Sequence, residues 1–229
     1  MSGTDPLQAV CFDLDDTLYP YAEYARTGLR AAADRLAART GRGLHTELEW
    51  LYFEADVTEG TFDRLLERHG LSAELVDELV EAYHGATADL SPYDETPAVL
   101  ERVGRTHDLG LVTDGRNGRQ KLTRLGLDGR FDAVLVTPTI GSSKHEVEPF
   151  ERVLDDLGVG PGRAVYVGDD PRVDFRVPND LGMRTVRVRR GRYTDLEPGS
   201  AAAAPDHEIH RLATLPDLLE RLGQPVDTT

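Results

Sequence analysis

Asp13 and Asp15 stand two residues apart, directly after the apolar run Ala9–Phe12. Carboxylates this close repel one another, and one of them takes up a proton unless a cation intervenes. A divalent ion with oxygen ligands removes the conflict. The stretch Asp13-Leu14-Asp15-Asp16-Thr17-Leu18 has part of the spacing of a calcium loop. Such a loop needs Gly at its sixth position and Glu at its twelfth. Those positions hold Leu18 and Tyr24, so a calcium loop is rejected. Two further apolar runs end in polar residues. Residues 109–113 lead through Thr113 into Asp114-Gly115, and residues 164–167 lead into Gly168-Asp169-Asp170, with Asp174 four residues beyond Asp170. Lys144, one of only two lysines, lies between them and just ahead of a helical pattern at 148–157. In chain order the sequence offers acid, hydroxyl, cation and acid.

Positioning these residues requires short strands. Five apolar, β-branched runs, at 9–12, 109–113, 133–136, 164–167 and 184–188, are each bounded by Asp, Gly or Pro. Helical patterns separate them, at 118–125, 148–157 and 173–181. Alternating buried strands and helices predict an α/β fold, a Rossmann-like doubly wound parallel sheet with helices on both faces. In such sheets ligands bind beyond the C-terminal strand ends, where Asp13, Thr113 and Asp169 stand. Residues 21–85 contain no convincing strand. Helical spacing recurs there at 24–39, 46–55, 61–69 and 72–83. This predicts a small all-helical cap domain at 20–91, inserted into a core formed by 1–19 and 92–229. Tyr19-Pro20 and Ser91-Pro92 are the expected hinges.

Composition narrows the function classes. Hydrophobic residues make up 39% of the 229, enough for a core of ordinary size. The longest apolar stretches run to about four residues, far from the roughly 20 of a membrane span. Met1–Asp5 has no basic head and no apolar run, so a cytoplasmic protein is expected. One cysteine, Cys11, rules out an intrachain disulfide framework and a Cys-rich zinc site. The net charge of −15 has the wrong sign for nonspecific nucleic-acid binding, so no nucleic-acid or membrane partner is expected. The acidic, lysine-poor composition resembles proteins of salt-loving archaea, whose surface carboxylates are screened by salt; GC-rich coding bias is the alternative.

The four polar stations together resemble the haloacid dehalogenase-like hydrolase superfamily, from residue 9 to about 190. The D-x-D-x-T-L motif is matched in full at Asp13 to Leu18. Thr113 matches the strand-end hydroxyl, and Lys144 the lysine before a helix. Gly168, Asp169 and Asp174 match the final G-D with a further acid. The resemblance implies a Mg2+-dependent phosphomonoesterase acting on a small phosphorylated metabolite such as phosphoglycolate, a sugar phosphate or a nucleoside monophosphate. It implies Asp13 as nucleophile, forming an aspartyl-phosphate. Asp15 would serve as general acid and then general base. Mg2+ would be held by the Asp13 carboxylate, the Asp15 main-chain carbonyl and Asp169, with Asp174 steadying Asp169 or a bound water. Thr113, the amides of Asp114 and Gly115, and Lys144 would bind phosphate. Four acids bring up to −4 and a phosphomonoester about −2. Lys144 and Mg2+ supply only +3, which is why the ion is needed.

Dehalogenases resembling this family lack the second aspartate of the first motif, so Asp15 favours phosphoryl chemistry. A phosphomutase would share the nucleophile and the acid/base pair. It would need a second phosphate site in the cap, where Arg26, Arg30, Arg64 and Arg68 could serve. A noncatalytic binding module on the same fold is the third reading, and the intact Asp13 and Asp15 pair speaks against it. Oligomeric state leaves no signature. Three positions depart from the family pattern: His145 follows Lys144 in place of Pro, Asp114 stands in place of Asn, and Pro178 should shorten or kink its helix. Asp16 reads as a turn or surface residue, and Asp170 fits either an outer metal role or a helix cap. Thr17 reads as a local turn cap, Cys11 and Trp50 to Phe53 as core, and 207–210 as a late edge strand. Arg187, Arg189, Arg190 and Arg192 read as salt-bridged.

Overall fold

A computed structural model describes residues 6–223. Met1–Asp5, where the leader was considered above, lies outside the described residues. The chain divides into two compact units, Tyr21–Leu90 and the remainder.

The larger unit is built on a six-stranded sheet in the order β3-β2-β1-β4-β5-β6. The strands are β1 (Ala9–Phe12), β2 (Asp108–Thr113), β3 (Ala133–Val136), β4 (Ala164–Gly168), β5 (Arg184–Val188) and β6 (His207–Ile209). Every neighbouring pair is parallel. All four side chains of β1 are fully buried, as expected of a strand with neighbours on both sides and covered faces. The chain builds one half of the sheet from β1 outward to β3, then crosses back to build the other half from β4. The topological switch point therefore lies between β1 and β4. Phe12 is level with Leu111 of β2 and Val167 of β4, so the residues after all three strands emerge side by side.

Four helices form the other unit: α1 (Tyr21–Thr40), α2 (His45–Phe53), α3 (Thr61–Arg68) and α4 (Val76–His84). Leu29, Ala32, Ala33 and Leu36 make the buried stripe of α1. Trp50 corrects the reading of 50–53 as core, because it is 47% exposed. A helix turns 100° per residue, so four consecutive side chains cannot all face inward. Leu48 and Leu51 take the inner positions of α2, leaving Trp50 outside with the Arg68 guanidinium 5.6 Å from its ring.

In the larger unit the remaining helices are α5 (Thr96–Val103), α6 (Gly118–Arg124), α7 (Glu148–Leu157), α8 (Arg176–Leu181) and α9 (Leu215–Leu222). α8 starts three residues later than its apolar pattern suggests, which puts Pro178 in the first turn, where its missing N–H costs nothing. Cys11 sits in the core with Phe150 and Tyr166, and burial pushes its thiol up to about 12. No helix among the described residues is long and apolar enough to cross a membrane.

Candidate active site

The site occupies the C-terminal ends of β1, β2 and β4. Asp13, Asp15, Thr113, Asp114, Gly115, Lys144, Asp169, Asp170, Asp174, Arg192 and Tyr193 are among the residues lining a cleft of about 110 Å3. It contains every site residue expected from the sequence.

Lys144 is buried and bridges two acids, Asp13 Oδ1 and, at 2.8 Å, Asp174 Oδ1. Asp114 supports the approach of Lys144. Its Oδ1 accepts from the Lys144 backbone N–H at 3.0 Å and from Thr137 Oγ1 at 2.5 Å. Asp114 lines the cleft and at the same time anchors the lysine loop through this backbone N–H. The Gly115 amide donates to Thr113 Oγ1 at 3.0 Å, so this N–H is engaged within its own turn. The Thr113 hydroxyl proton stays available to another acceptor.

Asp174 has both oxygens engaged. While Oδ1 takes Lys144, Oδ2 accepts the backbone N–H groups of Asp169 at 3.0 Å and Asp170 at 2.9 Å. Gly168 makes this possible, because any Cβ there would overlap the Asp174 carboxylate. Asp170 is held by Arg172 Nη2 at 2.8 Å and accepts the Arg172 N–H, a local turn arrangement. Thr17 does more than cap its turn. Its hydroxyl lies 2.9 Å from Asp169 Oδ1 and 3.2 Å from Asp13 Oδ2, joining the acids of β1 and β4. Asp16 is a turn residue, with φ +60°, but not a surface one: it is 2% exposed and pairs with Arg192 at 2.6 Å. Arg187 is fully buried, donating to the carbonyls of Asp169, Tyr193 and Leu196. It thereby ties the loop after β5 to the loop after β4.

Asp13, Asp169 and Asp174 each offer an oxygen within 4.8 Å of the others. Asp169 Oδ2 is buried and has no hydrogen-bond partner among the described residues. A buried, orphaned carboxylate oxygen beside two more acids is costly unless a cation meets it. The residues therefore fit a hard divalent ion. Burial pushes the Asp13 carboxyl up to about 7; Lys144 opposes the shift, and Asp174 and Asp15 add to it. Asp169 is raised as well, by burial and then by Asp13 and Asp174.

Asp15 follows a different course. Burial would raise it, but Lys121 and the Tyr19 hydroxyl outweigh that and hold it below the usual carboxylate range. Lys121, 2% exposed, reaches both Asp15 oxygens at 2.7 Å. The repulsion between Asp13 and Asp15 is thus met by one lysine on each. Sequence reasoning missed Lys121. A signal was present: a chain with 24 arginines keeps only two lysines, and both are buried here.

The model of the haloacid dehalogenase-like hydrolase family matches residues 10–188, and the chain belongs to that family. It is 40% identical to a glyceraldehyde 3-phosphate phosphatase of Methanopyrus kandleri, over 95% of this chain and 99% of the relative. It is 31% identical to a ribulose-1,5-bisphosphate 5-phosphatase of Halopiger xanaduensis, over 92% and 98%. Among solved structures, a 2-haloacid dehalogenase from Pseudomonas syringae pv. Tomato DC3000 superposes with a TM-score of 0.68 at 27% identity, covering 94% of this chain and 99% of that one. Phosphatases and a dehalogenase thus share the architecture, and the site's own residues must discriminate.

Proposed function

We propose that this hydrolase cleaves the phosphomonoester of a small phosphorylated sugar, with glyceraldehyde 3-phosphate the first candidate, through a phosphoryl group carried on Asp13. The observation that carries the reading is the pairing of Asp13 with Lys144 beside the orphaned Asp169 Oδ2. Asp15 supplies the acid/base group that departure of an alcohol from phosphorus, and then attack by water, requires. The Methanopyrus relative's name directs the choice of triose phosphate.

In the first step an Asp13 oxygen forms a bond to phosphorus while the bond from phosphorus to the sugar oxygen breaks. Asp15, ionised in the free site, takes up a solvent proton as the ester binds and gives it to the departing alcohol. In the second step a water oxygen bonds to phosphorus, the Asp13–phosphorus bond breaks, and Asp15 takes the water's proton. Both aspartates are then restored. Lys144 and the Thr113 hydroxyl steady the phosphate oxygens as charge shifts among them. Mg2+ would be held by the Asp13 and Asp169 carboxylates and the Asp15 carbonyl, with Asp174 fixing the Asp169 backbone. It would supply the positive charge that lets a dianionic ester approach four acids.

The test is a panel of phosphate esters, including glyceraldehyde 3-phosphate and p-nitrophenyl phosphate, assayed with Mg2+ at low and molar KCl. Phosphate release by the wild type and none by Asp13→Asn is the expected result. Equal rates for the two proteins would remove the nucleophile. A phosphate moved to another position of the same sugar, without release, would point to mutase chemistry. No turnover on any ester would point to a binding module.

A further inference from the structure

Asp15 must give up and accept a proton in every cycle, so its aim matters as much as its acidity. Three hydrogen bonds define that aim. Tyr19 Oη donates to Asp15 Oδ1 at 2.5 Å, and Lys121 Nζ lies 2.7 Å from each of the two oxygens. Oδ1 therefore takes two donors and Oδ2 one. A carboxylate held this way cannot rotate without breaking charge-assisted bonds. Lys121 is carried on α6, and it does not line the cleft, whereas Asp15 and Gly115 do. It approaches Asp15 from behind the cleft wall. Gly115 permits the approach: a Cβ there would come within 2.6 Å of Asp15 Oδ2 and 2.8 Å of Lys121 Nζ.

We propose that Lys121 is a positioning residue for the reaction: it grips both Asp15 oxygens while Tyr19 adds a second donor on Oδ1, so the carboxylate is held in one orientation and Oδ2, with a single donor, keeps a lone pair to exchange the proton. The proposal rests on the phosphatase reading and deepens it. Lysine suits the task, being a compact point charge that reaches a buried carboxylate on a thin apolar stem. Its effect on the rate passes through Asp15, the carboxylate it reaches with two contacts. A double-mutant cycle reads this coupling.

The experiment measures p-nitrophenyl phosphate turnover with Mg2+ for wild type, Lys121→Met, Tyr19→Phe, Asp15→Asn, and each of the first two changes combined with Asp15→Asn. Lys121→Met should lower kcat roughly 100-fold, the scale of a catalytic group misplaced by about 1 Å. KM should stay within about twofold, because Lys121 does not line the cleft. Tyr19→Phe should lower kcat less, having removed one donor and kept the ring. In the Asp15→Asn background neither change should reduce the rate further. Should Lys121→Met fail to fold, as judged by circular dichroism, the Tyr19→Phe cycle decides. Equal losses with and without Asp15, or no loss in either background, overturn the proposal while the phosphatase reading stands. A wild type inert toward both p-nitrophenyl phosphate and glyceraldehyde 3-phosphate overturns the reading and the proposal together.

Discussion

Lys144 binds Asp174 at 2.8 Å with both side chains buried, and the same ammonium pairs with Asp13. One cation thus holds the acid after β1 against the acid that organises the loop after β4. Burial alone would push Lys144 toward neutrality, but the two carboxylates outweigh it and raise its pKa well above the ordinary value. The ammonium is thereby held in its charged form.

Removing Lys144 leaves two buried acids without their counter-charge. Lys144→Met should abolish turnover and cost about 3–5 kcal/mol of folding stability, the usual loss when one partner of a buried pair is deleted. Lys144→Arg should not restore activity, because a planar fork cannot replace a point charge seated between two carboxylates. Urea unfolding and steady-state assays check both outcomes.

Gly168 should tolerate no side chain. Gly168→Ala would force the Asp174 carboxylate from its two backbone N–H donors. The expected result is a lower melting temperature and weaker Mg2+ binding, measured by calorimetry. Wild-type Mg2+ affinity in Gly168→Ala would show that Asp174 does not organise the cation site.

Metal and pH should be linked through Asp13. Its carboxyl rises from 3.8 to about 7 in the fold, so between those values the folded protein holds a proton that the unfolded chain has shed. The stability this contributes is fully present below about pH 4 and is lost as pH rises through 7. The metal-free melting temperature should fall from pH 5 to pH 8, more in wild type than in Asp13→Asn. Mg2+ held by the Asp13 carboxylate would take the place of the proton, so it should raise the melting temperature more at pH 8 than at pH 5. EDTA should abolish activity and Mg2+ restore it. Full turnover in metal-free buffer would contradict the cation assignment.

The sheet was legible because its strands are buried on both faces, so each reads as a short apolar run closed by a polar residue. Asp13, Thr113 and Asp169 fall after neighbouring parallel strands, and that register brings together residues more than 150 positions apart. Other features depend on three-dimensional placement that spacing does not encode. Lys121 looks like an ordinary helix residue until α6, packed on the sheet at β3, brings its ammonium to Asp15. Trp50 reads as core on hydrophobicity alone, but the phase of α2 turns it outward. Asp114 reads only as a departure from the family's Asn, and its role as the acceptor for the Lys144 backbone N–H depends on the fold.

The composition makes a separate prediction. A chain of net charge −15 repels itself, and salt screens that repulsion, with a Debye length of about 3 Å at 1 M. The melting temperature should rise between low and molar KCl. No rise would attribute the missing lysines to coding bias instead.

Covalent capture of phosphorus by Asp13 is tested most directly by trapping it. Asp15→Asn, lacking the group that activates water, should accumulate a phosphoryl adduct when mixed with p-nitrophenyl phosphate and Mg2+ and quenched in acid. Peptide mass mapping should place the added phosphoryl mass on Asp13, and the adduct should vanish in Asp13→Asn. A phosphoryl group mapped to another residue, or undiminished turnover in Asp13→Asn, would contradict the account.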